Sequence, residues 1–426
     1  MPETGKLSVQ RANRIKNSLV AMFFTQALVL MAIVIRIPEL IEKLGLSKNL
    51  TIWGTITGLS GLGGLLSLIF VHRLVLRFGT TNVTRVATLM TCAIQGIVVL
   101  LGNYWLYFIA TFVQTMFITM YNNSANAQAL IVQKRLKKVI LGSIHGSWSL
   151  GVVVVTLMSG WMASFLTLEW HIGLVAAMGF VINIILGTQM MTREEEKANQ
   201  TKAKVEKKVS WLKTPGLVWL LSLTLFAGIW PEVVMADWMS IYSTSVLHLS
   251  TSLVAVPFTA FALAMIIGRF STGWISTKMH VNRAAMFGGY FGAIAMAAGL
   301  IGSHFLLPIN QLLAVSVQAF FFFIAGLGES IMVPATFSAA SHIRGIASSQ
   351  ALARMSMGSN LSFIVAKGIM GSLADGVGLA IAMVFPIVIF VLSGYLQGVV
   401  SHKSRKLEAQ NLENYPPTGS VPIAQN

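Results

Sequence analysis

The chain has 426 residues, of which 55% are hydrophobic and only 10% are charged, and its mean hydropathy is +0.74. Soluble globular domains carry about 25% charged residues, so this composition excludes a soluble protein and predicts a bundle of membrane helices, each of about 20 residues. The net charge of +16 does not indicate nucleic acid as a partner, because the basic residues lie in short segments between apolar runs and form no basic face.

The apolar runs predict about twelve membrane spans in two sets of six. The first set covers residues 18–37, 52–71, 84–102, 105–128, 143–165 and 170–191. The second set covers residues 216–240, 252–274, 284–303, 311–333, 350–373 and 377–400. The predicted fold is therefore an all-α membrane protein with two pseudo-symmetric six-helix halves, spanning residues 18–191 and 216–400.

A strongly charged segment separates the two predicted halves. Residues 192–214 (TREEEKANQTKAKVEKKVSWLKT) carry seven basic and four acidic side chains. Such a segment must lie in water, because burying its charges in hydrocarbon is costly. We predict a linker over residues 192–215, a polar N-terminus over residues 1–17 and a polar, disordered tail over residues 401–426.

The positions of Lys and Arg predict the orientation in the membrane. Basic clusters precede the first span and follow the even-numbered spans, whereas the opposite loops, such as Gly102–Asn103 and Ser303–His304, are nearly free of charge. The positive-inside rule then places both termini and the linker in the cytoplasm. The first apolar run has no small-residue cleavage pattern, so we expect it to be retained as the first helix of a multi-pass membrane protein.

The loops after the second and eighth spans are similar to each other, with the sequences HRLVLRFGTTNVTR (72–85) and GWISTKMHVNR (273–283). Their arrangement in two parallel six-span repeats resembles the major facilitator superfamily, a family of secondary transporters with the substrate site between the halves. In that family the loop clamps helices at the cytoplasmic side through an acid–base pair, which makes Arg77 and Lys278 gating candidates. Leu76 stands at the acidic position of the first copy, so the resemblance leaves this latch incomplete.

Longer stretches are similar to one bacterial subgroup, the YbjJ-like transporters related to fucose permeases. They include IRIPELIEKLGLS (35–47), NNSANAQALIVQ (122–133) and GLGESIMVPATFSAA (326–340). This resemblance implies a sugar-like solute and a location in the bacterial inner (cytoplasmic) membrane. The fourth span departs from the pattern, because it lacks the acid on which fucose permease depends.

Three acidic residues fall within predicted spans, namely Glu232, Asp237 and Glu329. An ionisable group in a membrane costs about 2.5–3.5 kcal/mol on insertion scales, so such groups face a partner or a watery cavity. All three are proton-coupling candidates. Asp237 has the alternative role of an interfacial residue beside Trp238.

The expected depths of these acids in the bilayer suggest ion pairs. Glu329 is expected to pair with Arg354, and Glu232 with Lys367 or with Arg36. The alternative is that such pairs are purely structural and pin helices together. Basic side chains near the cytoplasmic ends of spans are the gating or ion-pair candidates: Arg354, Arg77, Lys278 and His145. His145 has the alternative role of a structural hydrogen-bonding residue.

Neutral polar and aromatic side chains, together with two basic ones, are the expected lining of a substrate cavity. The candidates are Asn122, Asn126, Gln114, Trp148, Trp230, Lys367 and Arg36. Amides can donate to and accept from substrate hydroxyl groups, and aromatic rings can stack on a sugar. The alternatives are amides that join helices and Trp residues that anchor at the membrane interface.

The sequence predicts a secondary active transporter that works by alternating access. The favoured mode is proton-coupled import of a small sugar-like or carboxylate solute. The alternatives are a proton-coupled exporter, including one for siderophore-like anions, and a non-transporting receptor or scaffold with a transporter fold. No Walker motif, metal-ligand cluster or nucleophile elbow is present, so we expect no enzyme, no cofactor and no metal. The expected partners are a small molecule, protons and the lipid bilayer, and a monomer is expected.

Overall fold

The computed structural model describes residues 7–138, 140–199, 210–340, 343, 346 and 348–414, and the secondary structure in these ranges is entirely helical. The first part of the chain forms α1 (Val9–Met31), α2 (Ile37–Lys43), α3 (Leu50–Phe78), α4 (Thr80–Val98), α5 (Tyr104–Leu136), α6 (Leu141–Met162), α7 (Leu168–Thr188) and α8 (Arg193–Asn199). The second part forms α9 (Gly216–Ser245), α10 (Thr251–Val254), α11 (Val256–Lys278), α12 (Val281–Leu306), α13 (Gln311–Ser330), α14 (Met332–Ala340), α15 (Ser348–Val377), α16 (Leu379–Ala382) and α17 (Val384–Asn414). The all-helical prediction is confirmed.

Nine helical stretches within the described ranges are long and apolar enough to cross a membrane. They are Val9–Lys43, Leu50–Phe78, Leu141–Met162, Leu168–Thr188, Gly216–Ser245, Thr251–Lys278, Val281–Leu306, Gln311–Ala340 and Leu379–Arg405. Three more long helices, α4, α5 and α15, fall at the remaining predicted spans. They are more polar, because the residues that face the interior of the bundle include Thr, Asn, Gln and Lys side chains.

The same pattern of helix neighbours occurs in both parts of the chain. In the first part α3 packs on α5, α1 on α6, and α4 on α5 and α7. In the second part α11 packs on α13, α9 on α15, and α12 on α13 and α17. The two parts meet mainly where α3 packs on α15 and α6 on α11. We call α1–α8 the first half and α9–α17 the second half.

Helix α8, in the linker, marks one end of the bundle, which we call the α8 end; the opposite end is the distal end. Glu195 accepts from the Arg11 side chain with a distance of 2.9 Å between Nε and Oε1. The Glu196 carboxylate accepts from the backbone N–H of Thr80 (2.9 Å) at the start of α4. A carboxylate is stabilised at a helix N-terminus by the unpaired N–H groups there. The loop over residues 72–85 has Leu76 at the position where an acidic residue is expected. Glu196 therefore places an acidic side chain beside this loop from another part of the chain.

Parts of the linker and of the tail are helical. Within the linker, α8 is helical up to Asn199, while residues 200–209 lie outside the described residues. Helix α17 continues to Asn414, fourteen residues beyond the predicted end of the last span. The first part of the tail, predicted to be disordered, is thus helical, because Lys, Arg, Leu, Glu, Ala and Gln favour a helix and no Pro occurs before Pro416. The remainder of the tail lies outside the described residues.

Candidate functional site

A cavity of about 610 Å³ lies between the two halves. Helices α1, α3, α4, α5 and α6 line it on one side, and α9, α11 and α15 line it on the other. Its volume falls in the range of small-molecule sites, which is roughly 300–1,000 Å³. Of the predicted cavity residues, Asn122, Gln114, Trp148 and Lys367 lie in its wall.

The wall formed by the first half is neutral, and it combines aromatic rings with hydroxyl and amide groups. The rings of Trp53 and Tyr107 pack against each other with centroids 5.6 Å apart. Ser60 and Thr111 share a hydrogen bond of 2.7 Å between their hydroxyl oxygens. Among the described residues that line the cavity, those of the first half include no charged side chain. This wall can bind a polar, uncharged molecule through stacking and hydrogen bonds.

The wall formed by the second half carries two ion pairs. Arg269 Nη2 lies 3.2 Å from Glu232 Oε2, and Lys367 Nζ lies 2.8 Å from Asp237 Oδ2. The Glu232 and Arg269 side chains are 36% and 38% exposed, whereas those of Asp237 and Lys367 are 23% and 22% exposed. Each acid is matched by a base, so the charges in this wall sum to zero.

Glu329 is buried close to the first of these ion pairs. Its residue is 1% exposed, and neither carboxylate oxygen has a hydrogen-bond partner among the described residues. Glu232 and Arg269 are the charged groups that act on it electrostatically. Two glycines of α13, Gly326 and Gly328, let neighbouring helices approach closely, since a Cβ at either position would lie 2.3 Å from a backbone oxygen. This close packing keeps the carboxyl group away from water.

Glycines also bring α3 and α15 into backbone contact on the distal side of the cavity. A Cβ added to Gly54 would lie 2.2 Å from the backbone oxygen of Lys367, and one added to Gly371 would lie 2.3 Å from that of Leu50. Real Cβ atoms do not approach other atoms this closely. The two helices can therefore pack this tightly only because these positions lack side chains.

Hydrogen bonds between the halves reinforce this closure. The Asp375 carboxylate of α15 accepts from the backbone N–H groups of Leu50 (2.9 Å) and Thr51 (2.7 Å) at the start of α3. Burial alone would raise the pKa of Asp375, but these hydrogen bonds outweigh it, and the pKa lies below its ordinary value. Thr259 of α11, in the second half, donates to Thr156 of α6, in the first half (3.0 Å). The cavity is thus closed at the distal end.

Two predicted cavity residues lie elsewhere. Trp230 is 1% exposed and packs between Phe226 and Phe385, with ring centroids 5.3 and 5.5 Å away. Arg36 is also 1% exposed; it donates to the backbone oxygen of Leu166 and pairs with Glu39 at 2.7 Å. Both predictions were wrong about the cavity, because these side chains turn away from it into the helix packing of one half.

The predicted partners of the acids also differ. Glu232 pairs with Arg269 and not with Lys367 or Arg36, while Lys367 pairs with Asp237. Asp237 was placed at the membrane interface as an alternative, but it lines the cavity. Estimating depth along a helix cannot show which face points inward, and this is why the pairing failed.

Arg354 and Asn126 lie away from the cavity wall. The Arg354 guanidinium donates to the hydroxyl of Thr214 and lies 4.9 Å from the ring centroid of Trp211, near the start of α9. It therefore contacts the end of the linker, and the expected pair with Glu329 is absent. Asn126 has a buried side-chain oxygen without a hydrogen-bond partner in the described part of the chain.

The other gating candidates lie toward the α8 end. Arg77 is exposed and lies over the Phe78 ring, 5.2 Å from its centroid, and Lys278 is exposed at the end of α11. His145 packs edge-on against the Phe23 ring (5.4 Å) and lies within electrostatic range of Arg269. No result tests the gating role of these residues, which stays a prediction.

Sequence reasoning missed three residues that the structure makes prominent. Arg269 is a basic residue inside a predicted apolar span, and the cost of such a residue in the membrane could have identified it. Gln95 lines the cavity but resembles any other buried amide in the sequence. Asp375 lies just beyond a predicted span, where an acid is usual, so nothing in the sequence singled it out.

Comparison with known proteins identifies the family. The Major Facilitator Superfamily model matches residues 18–345. An uncharacterized MFS-type transporter of Yersinia pestis is 22% identical over 282 residues, which is 66% of this chain and 69% of that protein.

Two solved structures show the fold. A bacterial homolog of the human lysosomal transporter Spinster, in an inward-facing and unoccupied conformation, aligns with a TM-score of 0.71 and 14% identity over 94% of this chain and 99% of that one. A D-xylose–proton symporter aligns with a TM-score of 0.69 and 13% identity over 92% and 97%. Since the family match covers more than half of the residues, the chain belongs to the Major Facilitator Superfamily.

Proposed function

We propose that this protein is a proton-coupled secondary transporter that imports a neutral, polyhydroxylated solute by alternating access between its two halves. The observation that carries this proposal is the cavity at their interface, which has one neutral hydrogen-bonding wall and one wall of matched ion pairs. In this reading α4, α5 and α15 also cross the membrane, which gives about twelve spans. The kinship with YbjJ-like and fucose-permease-related transporters stays a prediction, as do the monomeric state and the domain bounds.

The charges of the cavity favour a neutral solute over a carboxylate. A carboxylate or a siderophore-like anion would need a basic group without an acidic partner. Lys367 is paired with Asp237 and Arg269 with Glu232, while Arg36 and Arg354 contact other parts of the protein. Hydroxyl groups both donate and accept hydrogen bonds, so a sugar-like molecule suits the side chains of the neutral wall.

Glu329, Glu232 and Arg269 form the proposed proton-coupling group. A buried carboxylate without a hydrogen bond is very unfavourable, so Glu329 carries a proton while it is shielded in this way. If the helices shift, Arg269 can pair with Glu329 instead of Glu232, and the proton can then leave. Transport requires that proton and solute favour one conformation of the carrier over the other.

The closed distal end supports an inward-facing state, with the termini and the α8 end in the cytoplasm of a bacterium. The contacts of Asp375 and of the glycines on α3 and α15 would then form the outer gate. The distribution of Lys and Arg in the loops favours the same orientation.

The test is uptake of radiolabelled D-xylose, D-glucose, L-fucose, mannitol and lactate into proteoliposomes, with and without an imposed pH gradient. We expect accumulation of a neutral compound, only when the outside is acidic. Lactate as the sole accumulated compound would overturn the neutral-solute proposal. Binding of a neutral compound without any flux would instead support the receptor alternative, and accumulation driven by the reverse gradient would support the exporter.

A further inference from the structure

Hydrogen-bond chemistry fixes the orientation of a side-chain amide at the cavity wall. Gln114 Nε2 lies 3.3 Å from the backbone oxygen of Thr91 and 2.7 Å from Gln95 Oε1. A backbone oxygen can only accept, so the Gln114 atom that faces it must be the amide nitrogen. The Gln95 atom that faces this nitrogen must then be its oxygen, since two amide nitrogens cannot hydrogen-bond in this way. The NH₂ group of Gln95 therefore lies on the other side.

This NH₂ group is a donor without an acceptor. Gln95 is 3% exposed and lines the cavity, and its Nε2 has no hydrogen-bond partner in the described parts of the chain. A buried donor that stays unpaired costs folding free energy, so proteins rarely keep one without a reason. An acceptor atom from a molecule in the cavity would relieve this cost.

Gln95 shares its cavity with other groups that suit a polar solute. The Trp53–Tyr107 ring pair lines the same cavity on α3 and α5, and Tyr107 lies within electrostatic range of Asp237 on the second half. Asp237 is held by Lys367 at 2.8 Å. A polyhydroxylated solute that spans the cavity could thus accept from Gln95 at one hydroxyl and donate to Asp237 from another.

We propose that Gln95 is a specificity-determining residue that donates a hydrogen bond to a hydroxyl oxygen of the solute, and that Gln114 is the residue that positions it. This inference rests on the proposed function, because it assumes a neutral hydroxylated solute. A ligand that bridges Gln95 and Asp237 would contact both halves, so its binding would favour their closure around it.

The test is binding of D-xylose, D-glucose, L-fucose, mannitol, myo-inositol and uridine to the full-length protein in detergent, measured by thermal shift and by radioligand binding. Gln95→Glu keeps the oxygen that accepts from Gln114 but replaces the donor with a second acceptor. Gln318→Glu is the matched control, because Gln318 is equally buried, lies outside the cavity wall and has no hydrogen-bond partner among the described residues. Gln95→Leu provides a second variant that introduces no charge.

For the tightest-binding probe, we expect Gln95→Glu to raise Kd about tenfold or more near neutral pH. Protonation of the introduced carboxyl at low pH restores an O–H donor, so the ratio of variant to wild-type Kd should fall again, which a purely structural role would not produce. Gln95→Leu should weaken binding at every pH, and folded Gln318→Glu should bind like the wild type.

Two results would overturn the inference, and they differ from each other. If the wild type binds a probe and both Gln95 variants, folded, bind it equally well, the Gln95 assignment fails alone, and an ordered water is then the partner of the amide. If the wild type binds none of the six probes, the proposed function fails and the inference fails with it.

Discussion

The two walls of the cavity differ in charge, and we propose that they divide the work of a proton-coupled transporter between the two halves of the chain. The first half presents rings, hydroxyls and amides, whereas the second presents two acid–base pairs with a buried glutamate behind one of them. Neutral groups can bind a solute at any pH, while carboxyl groups can exchange protons. The contrast suggests that solute binding belongs mainly to the first half and proton binding to the second.

Because the two walls are proposed to have different roles, variants in each wall can be tested separately. A change in the charged wall should alter the response to pH more than affinity, and a change in the neutral wall should do the reverse. The closure at the distal end should respond to neither kind of change directly, because it depends on helix packing.

Arg269→Gln removes the cation that pairs with Glu232 and acts electrostatically on Glu329. We expect accumulation driven by a pH gradient to fall by about 5- to 150-fold, the usual range of a coupling free energy, while probe binding changes little. Proteoliposome uptake measures the first quantity and radioligand binding the second. The matched control is Arg283→Gln, which removes an exposed cation at the start of α12, outside the cavity wall. Gradient-driven accumulation that survives in Arg269→Gln would rule out this coupling group.

Trp53→Ala removes one ring of the neutral wall. We expect Kd for the tightest-binding probe to rise about tenfold from lost stacking and lost apolar contact, with an unchanged dependence of Kd on pH. Titration of the purified protein measures both. Trp161→Ala is the control, because Trp161 is 67% exposed on the surface of the bundle. An altered pH dependence in Trp53→Ala would argue against the separation of the walls.

Gly54→Ala places a Cβ at 2.2 Å from the backbone oxygen of Lys367. Ordinary contact begins at 3.4 Å, so α3 and α15 must separate by about 1 Å or more at this point, because overpacked helices move apart. Spin labels at Lys48 and Gly376 should report a longer distance. Gly173→Ala is the control, since its added Cβ meets nothing within 4 Å. An unchanged distance would mean that the backbone around Gly54 and Lys367 adjusts locally and that the distal end stays closed.

Asp375→Asn should have the smallest effect. Its carboxylate accepts from two N–H groups at the start of α3, and a charge at a helix N-terminus contributes about 0.3–1 kcal/mol, so the closed population should fall about two- to fivefold relative to the open one. Hydrogen bonds lower the pKa of Asp375 despite burial. The carboxylate therefore stabilises the closed end above its ordinary pKa, and this contribution is lost as pH falls through the lowered value.

The same two labels measure this effect. The wild type should open slightly under strong acid, and Asp375→Asn should show a smaller response. An equal acid response in both proteins would assign the opening to another group.

The sequence predicted the helices far better than the contacts between them. Long apolar runs mark helices by their length, so the all-helical fold could be predicted, while the twelve spans in two six-helix halves stay a prediction. The acids Glu232, Asp237 and Glu329 were predicted from the cost of charge in a membrane. Their partners could not be, because the face of each helix that turns inward depends on packing against the others.

The same limit explains the two misplaced cavity residues. Trp230 and Arg36 had suitable chemistry, but nothing in a single sequence shows that their side chains pack within one half. Conversely, the orientation of Gln95 depends on Gln114 and Thr91, which come together only in the fold.

The pH dependence of solute binding in Glu329→Gln tests the central claim most directly. If the protein binds a proton together with the solute, linkage requires that the Kd for the solute changes with pH. Titration of the tightest-binding probe between about pH 5 and pH 8 should show Kd rising with pH in the wild type and staying flat in Glu329→Gln. A variant that keeps the wild-type slope would contradict the assignment of proton binding to this buried glutamate.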